Sequence, residues 1–189
     1  MDVYFKKEIN YLYEGKNFSF DVGETLFSTF NIDHGTDILL RSLPVFPNPQ
    51  KILDLGCGYG PLGIILAHKY PNAEVTLVDK DLLAVRFAKN NIEKNKISNA
   101  TALGSVGMES VSDQLFDLIV SNIPAKIGDQ AIKQEFILKP YHCLKPKGEL
   151  WIVVVSALNR LFKVEKQNEP KFKEIRKRKG HTVYKIWHG

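Results

Sequence analysis

The sequence predicts an α/β protein built on a doubly wound, mostly parallel sheet. Between residues 50 and 155, short apolar segments alternate with segments whose apolar residues recur at helical spacing. The segments 115–121 and 149–155 are almost continuously apolar, which is typical of strands that are covered on both faces. Strands that alternate with helices in this way favour parallel neighbours joined by right-handed crossovers.

Local signals predict the individual elements. Strands are expected at 51–55, 74–78, 100–103, 115–121 and 149–155. Pro61 suits the first turn of the helix after the first strand, and Asp81 can cap the helix after the second strand. A helix is expected over 129–144, and Pro140 should kink or divide it. The segments 171–177 and 182–187 are expected to form a closing antiparallel hairpin.

Length and composition predict one domain. The chain has 189 residues, 44% hydrophobic and 25% charged, as in globular proteins and unlike disordered or coiled-coil ones. We expect residues 1–49 to form an N-terminal extension that packs on a core of residues 50–189. No apolar run approaches the roughly 18 residues that cross a bilayer, and residues 1–15 lack the apolar stretch of a secretory signal. Cys57 and Cys143 are too few for a disulfide framework, so we expect a cytoplasmic location.

The positive charge is concentrated near the C-terminus. The formal net charge is +5, but residues 160–189 hold ten Lys or Arg and three Glu, a balance of +7 that leaves −2 for residues 1–159. Clustered Lys and Arg neutralise phosphates, so this segment, with Lys177 and Arg178 at its centre, is a candidate RNA-binding surface. A solvated hairpin that aids solubility is the alternative interpretation.

A glycine-rich turn follows the first predicted strand, where a doubly wound fold binds its ligands. Asp54 precedes the turn, and Gly56, Gly58 and Gly60 allow the backbone to bend tightly and approach a ligand closely. Asp79 ends the second strand, where a carboxylate can accept hydrogen bonds from both hydroxyls of a ribose. These features predict a ligand that carries an adenosine-like ribose. A structural turn with no ligand is the alternative.

The glycine-rich turn does not by itself show whether the ligand is a dinucleotide or a nucleoside without phosphates. Residues 58–63 match a dinucleotide-binding pattern, but the match begins two residues beyond Gly56. Pro61 also removes a backbone donor from the helix N-terminus that would bind a pyrophosphate, which favours a ligand without phosphates. Cys57 is interpreted as a packing residue, and the histidines show no metal-ligand spacing, so we expect no metal.

The pattern Asp-x-Gly-x-Gly-x-Gly, with an acid at the end of the next strand, resembles the signature of class I methyltransferases, which use S-adenosylmethionine (SAM). The resemblance implies a Rossmann-like seven-stranded sheet whose C-terminal hairpin supplies an antiparallel strand. In the third strand the family often has a polar or acidic residue near the adenine, and Ser105 is the candidate here. The implied SAM-binding residues in this part of the chain are Asp54, Gly56, Cys57, Gly58, Gly60, Asp79, Lys80 and Ser105.

The fourth strand runs into Asn122, Ile123, Pro124 and Ala125, a turn similar to the Asn-Pro-Pro-aromatic motif of amine and amide methyltransferases. The resemblance implies that the Asn122 oxygen and the Ile123 carbonyl accept hydrogen bonds from an NH₂ group and orient its lone pair, and that Pro124 stiffens the turn. Ile123 replaces the first proline of the motif. Ala125 replaces the aromatic residue that would stack on a base, a contact worth about 1–3 kcal/mol.

Residues 32–40 resemble the segment that precedes the sheet in the small methyltransferase domain family, which includes the catalytic half of ribosomal RNA guanine-N2 methyltransferases. The resemblance covers residues 18–187 and includes Phe18, Ser19 and the segment 26–28. It implies that Gly35 and Thr36 lie near the methionine end of SAM. The local alternative is that Thr36 caps a helix that begins at Asp37.

Together these features predict a SAM-dependent N-methyltransferase that acts on an exocyclic amine of an RNA base, with guanine N2 of ribosomal RNA as the leading candidate. Lys126 is a candidate phosphate contact beside the Asn122 turn. The alternatives are a protein glutamine methyltransferase, a non-catalytic SAM- or RNA-binding module and a nicotinamide-dependent oxidoreductase. Because no separate RNA-recognition domain is evident, we also expect that the chain can form a homodimer.

Overall fold

The structure, a computed structural model, describes residues 2–24, 32–162 and 170–188. The motif residues 26–28 lie outside these ranges. The described strands are, in chain order, β1 (Phe5–Tyr13), β2 (Lys16–Gly23), β3 (Lys51–Leu55), β4 (Glu74–Asp79), β5 (Ala100–Gly104), β6 (Phe116–Asn122), β7 (Leu144–Val155), β8 (Lys171–Arg178) and β9 (His181–Trp187). The described α-helices are α1 (His34–Leu40), α2 (Pro61–Lys69), α3 (Leu82–Lys94), α4 (Asp129–Ala131) and α5 (Lys139–His142).

Seven of these strands form one sheet, in the order β5-β4-β3-β6-β7-β9-β8. The strands from β5 to β7 are parallel, whereas β9 runs antiparallel to both of its neighbours. The predicted doubly wound sheet with an antiparallel C-terminal hairpin strand is confirmed. Because β4, β3 and β6 are adjacent and parallel, their carboxyl ends meet at one edge of the sheet, which we call the carboxyl edge.

Two apolar layers cover the sheet. Ile52 belongs to the layer that includes α1, α2, α3 and the β1–β2 hairpin, while its neighbour Leu53 belongs to the layer on the opposite face. The second layer contains the helical segments between β6 and β7 and the 3₁₀ segment Ser156–Phe162. Both faces are therefore buried, which explains why β6 and β7 are almost continuously apolar.

The N-terminal hairpin was not predicted as such, although charged and aromatic residues alternate along it as they do in many strands. Its second strand is attached to α3 by two asparagine side chains. The buried Asn91 accepts from the Asp21 N–H (2.7 Å) and donates to the Asp21 carbonyl (2.9 Å). Asn95 forms the same pair of bonds with Ser19. These amides satisfy backbone groups of β2 that would otherwise lack partners.

The helix expected over 129–144 is shorter and less regular than predicted. It consists of α4, a π-helical segment (Ile132–Leu138) and α5, and it ends at His142. Pro140 lies in the first turn of α5, directly after the π-helical segment, so the irregular register precedes the residue that cannot donate a backbone hydrogen bond. Strand β7 then begins at Leu144, five residues before the predicted start.

The C-terminal hairpin is confirmed and is one residue longer on each side than predicted. Arg178 pairs with His181 across the turn. The two intervening residues, Lys179 and Gly180, have φ angles of 47° and 75°, the left-handed geometry of a two-residue hairpin turn. The basic residues of this turn are therefore held next to the carboxyl edge, where β7 ends opposite His181.

Candidate active site

The turn after β3 is held against the end of β4. The N–H groups of Gly56 and Cys57 both donate to the Val78 carbonyl, at 2.8 and 3.0 Å. Gly56, Gly58 and Gly60 have φ angles of 74°, 56° and 95°, which residues with a Cβ rarely adopt. Glycine is therefore needed at these three positions because the backbone there adopts positive φ angles.

The Asp79 carboxylate lies at the tip of β4 and fixes the turn from the side. Its Oδ2 accepts from the Gly58 N–H (2.9 Å) and its Oδ1 accepts from the Asp81 N–H (3.0 Å). Each oxygen of a carboxylate can accept a second hydrogen bond, so Asp79 can still bind two hydroxyl donors. A Cβ placed on Gly58 would meet no atom within 4 Å, which shows that the space beside this carboxylate is open.

Asp54 supports the same turn from below. Its side chain is completely buried, its Oδ2 accepts from the Gly63 N–H (2.8 Å) and its Oδ1 is buried with no described partner. Burial raises the pKa of this carboxyl to about 7; the Gly63 hydrogen bond opposes that rise, and the nearby charge of Asp79 adds to it. Asp54 therefore stabilises the turn from a position that a ligand at the surface would not touch.

The second part of the site lies at the end of β6, next to β3 at the carboxyl edge. The Ile123 N–H donates to the Val153 carbonyl (3.0 Å), and the Ile123 side chain is buried. Pro124 and Lys126 are exposed. Asn122 and Asp79 thus end strands that flank β3, about 10 Å apart across the sheet at the usual strand spacing. The predicted cofactor and acceptor groups lie on the same side of the molecule.

The Asn122 side chain is held by residues that precede the sheet. Its Nδ2 donates to Asp33 Oδ2 (2.7 Å) and to Thr36 Oγ1 (3.1 Å). Its Oδ1 lies on the side of Gly35, where a Cβ would be 3.1 Å from that oxygen and 2.8 Å from Asp33 Oδ2. The absence of a side chain at Gly35 lets α1 approach the end of β6 this closely.

Helix α1 starts earlier than it would if Thr36 were its N-cap. The helix begins at His34, and its N-cap is Asp33, whose Oδ2 accepts from the N–H groups of Gly35 (2.8 Å) and Thr36 (3.3 Å). The alternative in which Thr36 caps a helix from Asp37 is wrong, because Thr36 already lies in the first turn. Its buried hydroxyl instead accepts a hydrogen bond from Asn122.

Comparison with known proteins identifies the family. A family model described as "Methyltransferase small domain" matches residues 17–187. The chain belongs to this methyltransferase family. Uncharacterized protein YbxB of Bacillus subtilis is 31% identical over 186 residues, which cover 95% of this chain and 90% of that protein.

Other relatives of this small methyltransferase domain are longer than the chain. Ribosomal RNA small subunit methyltransferase C of Hahella chejuensis is 36% identical over 68% of the chain and 37% of its own length. Ribosomal RNA large subunit methyltransferase G of Streptomyces avermitilis is 30% identical over 68% of the chain and 34% of its own length. The chain therefore spans well under half of these ribosomal RNA methyltransferases.

Solved structures share the methyltransferase fold. The 16S ribosomal RNA N2 methyltransferase of T. thermophilus, in complex with AdoMet and guanosine, matches with a TM-score of 0.78 and 26% identity over 97% of this chain and 50% of that one. A methyltransferase from Pyrococcus furiosus matches with a TM-score of 0.68 and 21% identity, over 89% of both chains. The second comparison shows the fold alone.

The other predicted cofactor residues of this methyltransferase occupy different environments. Lys80 is exposed directly after Asp79. The Ser105 N–H donates to the Asp79 carbonyl (2.9 Å), but its hydroxyl is used within the following loop, where it donates to the Gly107 carbonyl (2.9 Å). Cys57 is buried, and burial raises the pKa of its thiol well above the usual range, which supports the packing interpretation.

The predicted substrate residues Lys177 and Arg178 lie on opposite faces of the sheet. Arg178 pairs with His181, which lies next to Gly35 on the α1 face, whereas Lys177 pairs with Thr182 and faces the other way. On the α1 face, a groove of about 330 Å³ is lined by His34, Asp37, Ile38, Arg41, Arg178 and Lys179. Arg178 is thus brought to the site, and Lys177 is not.

Four residues of the candidate site were not identified from the sequence. Asp33 appeared only as part of a family pattern, and its contact with Asn122 has no local signal. Arg41 and His181 are separated from the site in the sequence and reach it only through packing. Leu82 is 73% exposed and lies over Gly104 at the end of β5; a large apolar residue just after a capping residue is the one signal that could have been noticed.

Two further features concern the described residues as a whole. Across 2–24, 32–162 and 170–188, no group of three or more His, Cys, Asp or Glu side chains is arranged to hold a metal ion. In the same ranges, no helix is long and apolar enough to cross a membrane.

Proposed function

We propose that this methyltransferase transfers a methyl group from SAM to an exocyclic amine of an RNA base, with guanine N2 of ribosomal RNA as the first candidate. The observation that carries the proposal is the placement of a hydrogen-bond-accepting amide, Asn122, at the same sheet edge as the Asp79 carboxylate. The relatives in Hahella and Streptomyces are ribosomal RNA methyltransferases, which supports an RNA substrate.

The residues around Asp79 fit SAM. The ribose hydroxyls would bind to the Asp79 carboxylate, and the Gly58 backbone would contact the neighbouring atoms, because a Cβ at Gly58 would meet no protein atom within 4 Å. Gly56 and Gly60 would shape the turn through their positive φ angles. The exposed Leu82 side chain would cover the adenine. Lys80 and the backbone of Ser105 complete this surface, while Asp54 and Cys57 support it from the interior. Gly35 and Thr36 would face the methionine end.

The acceptor side needs no strong base. When bound, SAM supplies a methyl group activated by its positively charged sulfur. The Asn122 Oδ1 and the Ile123 carbonyl would accept hydrogen bonds from the two N–H groups of the amine and so direct its lone pair at the methyl carbon. Held in this way, the amine nitrogen would take up the methyl group as the sulfur leaves, and the proton that it then loses would pass to water, so no side chain is needed as a base. Pro124 restricts the turn that positions the carbonyl.

The target base needs a stacking surface that Ala125 does not provide. His181 lies on the same side: its Cδ2 would be 3.1 Å from a Cβ on Gly35, which in turn would be 3.1 Å from Asn122 Oδ1. An imidazole ring can stack on a base, and such a contact is worth about 1–3 kcal/mol. We therefore assign the missing aromatic contact to His181.

The groove between α1 and the β8–β9 turn would receive the RNA backbone. Arg41, Arg178 and Lys179 line it, and the Arg176 guanidinium adjoins it by donating to the Arg41 carbonyl (3.3 Å). His34 lines this groove and lies in the chain between Asp33 and Gly35, which are both beside the Asn122 side chain. Lys126 would contact a phosphate on the other side of the Asn122 turn. Cationic residues on both sides of the amide can position a polyanion without specifying its sequence.

The decisive experiment measures transfer of a tritiated methyl group from SAM to RNA. RNA from cells that lack the gene should accept the label, whereas RNA from the parent strain, which is already methylated, should accept little. Nucleoside analysis then identifies the modified base, and N2-methylguanosine is the expected product. Label in protein and not in RNA would instead support the glutamine amide as acceptor, and saturable SAM binding without transfer would support a non-catalytic module.

The assembly and location are part of the same proposal. A homodimer on the RNA is proposed, in which a second copy of the chain would add RNA contacts to those of the groove. Light scattering of the purified protein, alone and with RNA, distinguishes a homodimer from a monomer. An enzyme with this substrate would act in the cytoplasm.

A further inference from the structure

The orientation of the Asn122 amide decides whether the site can bind an amine. An asparagine amide has an oxygen that accepts and an NH₂ group that donates, and the two ends have nearly the same shape. An amine substrate presents N–H donors, so only the oxygen end can hold it. If the NH₂ end faced the substrate, two sets of donors would oppose each other.

Asp33 removes this ambiguity. Its Oδ2 lies 2.7 Å from Asn122 Nδ2, and an ionised carboxylate can only accept hydrogen bonds. Thr36 Oγ1, 3.1 Å from the same nitrogen, provides a second acceptor. The group of Asn122 that faces Asp33 must therefore be the NH₂, and the oxygen must face away. This conclusion follows from the chemistry of the pair alone.

The contact exceeds what capping of α1 requires. Asp33 Oδ2 already accepts from the N–H groups of Gly35 and Thr36, which satisfies the helix start. The additional bond to Asn122 joins residues 89 positions apart in the chain. It forms because Gly35 lacks a Cβ, which would press on both Asp33 Oδ2 and Asn122 Oδ1.

We propose that Asp33, assisted by Thr36, is a positioning residue that fixes the Asn122 amide with its oxygen towards the acceptor amine. The proposal rests on the proposed function and explains how a residue remote in the sequence would determine which hydrogen-bonding groups the site accepts. Asp33 acts through Asn122 and does not itself contact the reacting atoms. The preference for a donor such as NH₂ over a carbonyl oxygen would follow from this fixed orientation.

The Asp33→Ser and Asp33→Asn variants separate positioning from capping. Serine caps a helix about as well as aspartate, but its hydroxyl is one bond shorter and would not reach Asn122. Asparagine keeps an acceptor oxygen where Asp33 Oδ2 lies. We expect the wild type and both variants to have similar melting temperatures and SAM affinities. In Asp33→Ser, kcat for RNA methylation should fall about 10-fold or more, and Asp33→Asn should recover most of that loss.

A second measurement does not depend on catalysis. The side-chain NH₂ of Asn122, identified in an NMR spectrum by its loss in Asn122→Ala, should exchange slowly with solvent in the wild type and in Asp33→Asn, and rapidly in Asp33→Ser. Fast exchange in the wild type, unchanged kcat in Asp33→Ser, or equal losses in both Asp33 variants would overturn the positioning role. A protected NH₂ in a wild-type protein that methylates nothing would instead retain this role and reject the proposed function.

Discussion

The two halves of the carboxyl edge are built in different ways. On the β3–β4 side, backbone N–H groups bind to two carboxylates, Asp54 and Asp79, and all partners fall within residues 54–81. On the β6 side, one side chain binds to two others, and the partners of Asn122 are 86 and 89 residues away. The backbone-held turn keeps all of its partners within one short motif, whereas the contact between Asn122 and its partners joins two motifs and is not visible in either one.

The two halves also differ in charge. The β3–β4 side presents the Asp79 carboxylate beside an open turn. The β6 side faces a groove lined by Arg41, Arg178 and Lys179 and by Asp37, which forms an ion pair with Arg41 (2.7 Å), so that cations predominate in the groove. In the proposed function, the acidic side holds a cationic cofactor, and the basic side holds a polyanionic substrate. The difference predicts that changes on each side should alter the binding of one ligand and leave the other unchanged.

The largest effect is expected for Asp79→Ala, which removes the carboxylate from the β3–β4 side. Two hydrogen bonds to a charged group are together worth about 3 kcal/mol or more, so SAM affinity should fall about 10²-fold or more. Isothermal titration calorimetry measures the loss. Asp81→Ala is the matched control: it removes the cap of α3 (Asp81 Oδ1 to Leu83 N–H, 2.9 Å) but leaves Asp79 in place, and its SAM affinity should remain normal. Equal affinities of wild type and Asp79→Ala would exclude a ribose contact there.

Asn122→Ala should produce the complementary result on the β6 side. Loss of one preorganised hydrogen-bonding group lowers kcat by about 10²-fold in comparable sites. The affinity for SAM should not change, because the amide lies beyond β3 from Asp79. Single-turnover methylation and calorimetry on the same preparation give both quantities. A variant that retains the wild-type rate would show that Asn122 does not hold the acceptor.

The raised pKa of Asp54 predicts that a group on the β3–β4 side makes the stability of the protein depend on pH. Its pKa is raised to about 7 in the folded protein, so between about pH 4 and pH 7 the folded state keeps a proton that the unfolded state has lost. Raising the pH through this range therefore destabilises the fold, by up to about 1.4 kcal/mol per pH unit from this group. Asp54→Asn should lose this contribution, which urea unfolding at pH 5 and pH 7 would reveal. Identical pH dependence in both proteins would contradict a neutral Asp54.

The smallest effect concerns the basic groove. Arg178→Gln should weaken RNA binding and reduce the slope of log affinity against log salt concentration by about 1, because one phosphate contact is lost. Lys177→Gln is the matched control, since it removes the same charge from the adjacent residue on the opposite face of the hairpin. Fluorescence anisotropy at several salt concentrations measures both. Equal slopes for the two variants would show that the groove is not the RNA path.

Much of the fold was predictable because its signals are local. Alternating apolar segments predicted the sheet, and the glycine turn, Asp79 and the Asn122 turn were each identified at the ends of the correct strands. The hairpin around residues 179–180 followed from its turn residues. The β1–β2 hairpin was missed because its attachment to α3 depends on asparagine side chains, and the π-helical segment was missed because apolar spacing does not distinguish it from an α-helix.

From residue 50 onwards, the sequence by itself determined the order of strands and helices, the positions of the turns and the acids and amide at the strand ends, because each depends on residues within a few positions of one another. Only the tertiary structure decided how the Asn122 amide is oriented and which face carries Arg178. Those properties arise from contacts between segments that are far apart in the chain, and such contacts exist only after α1, β6 and the C-terminal hairpin have packed together.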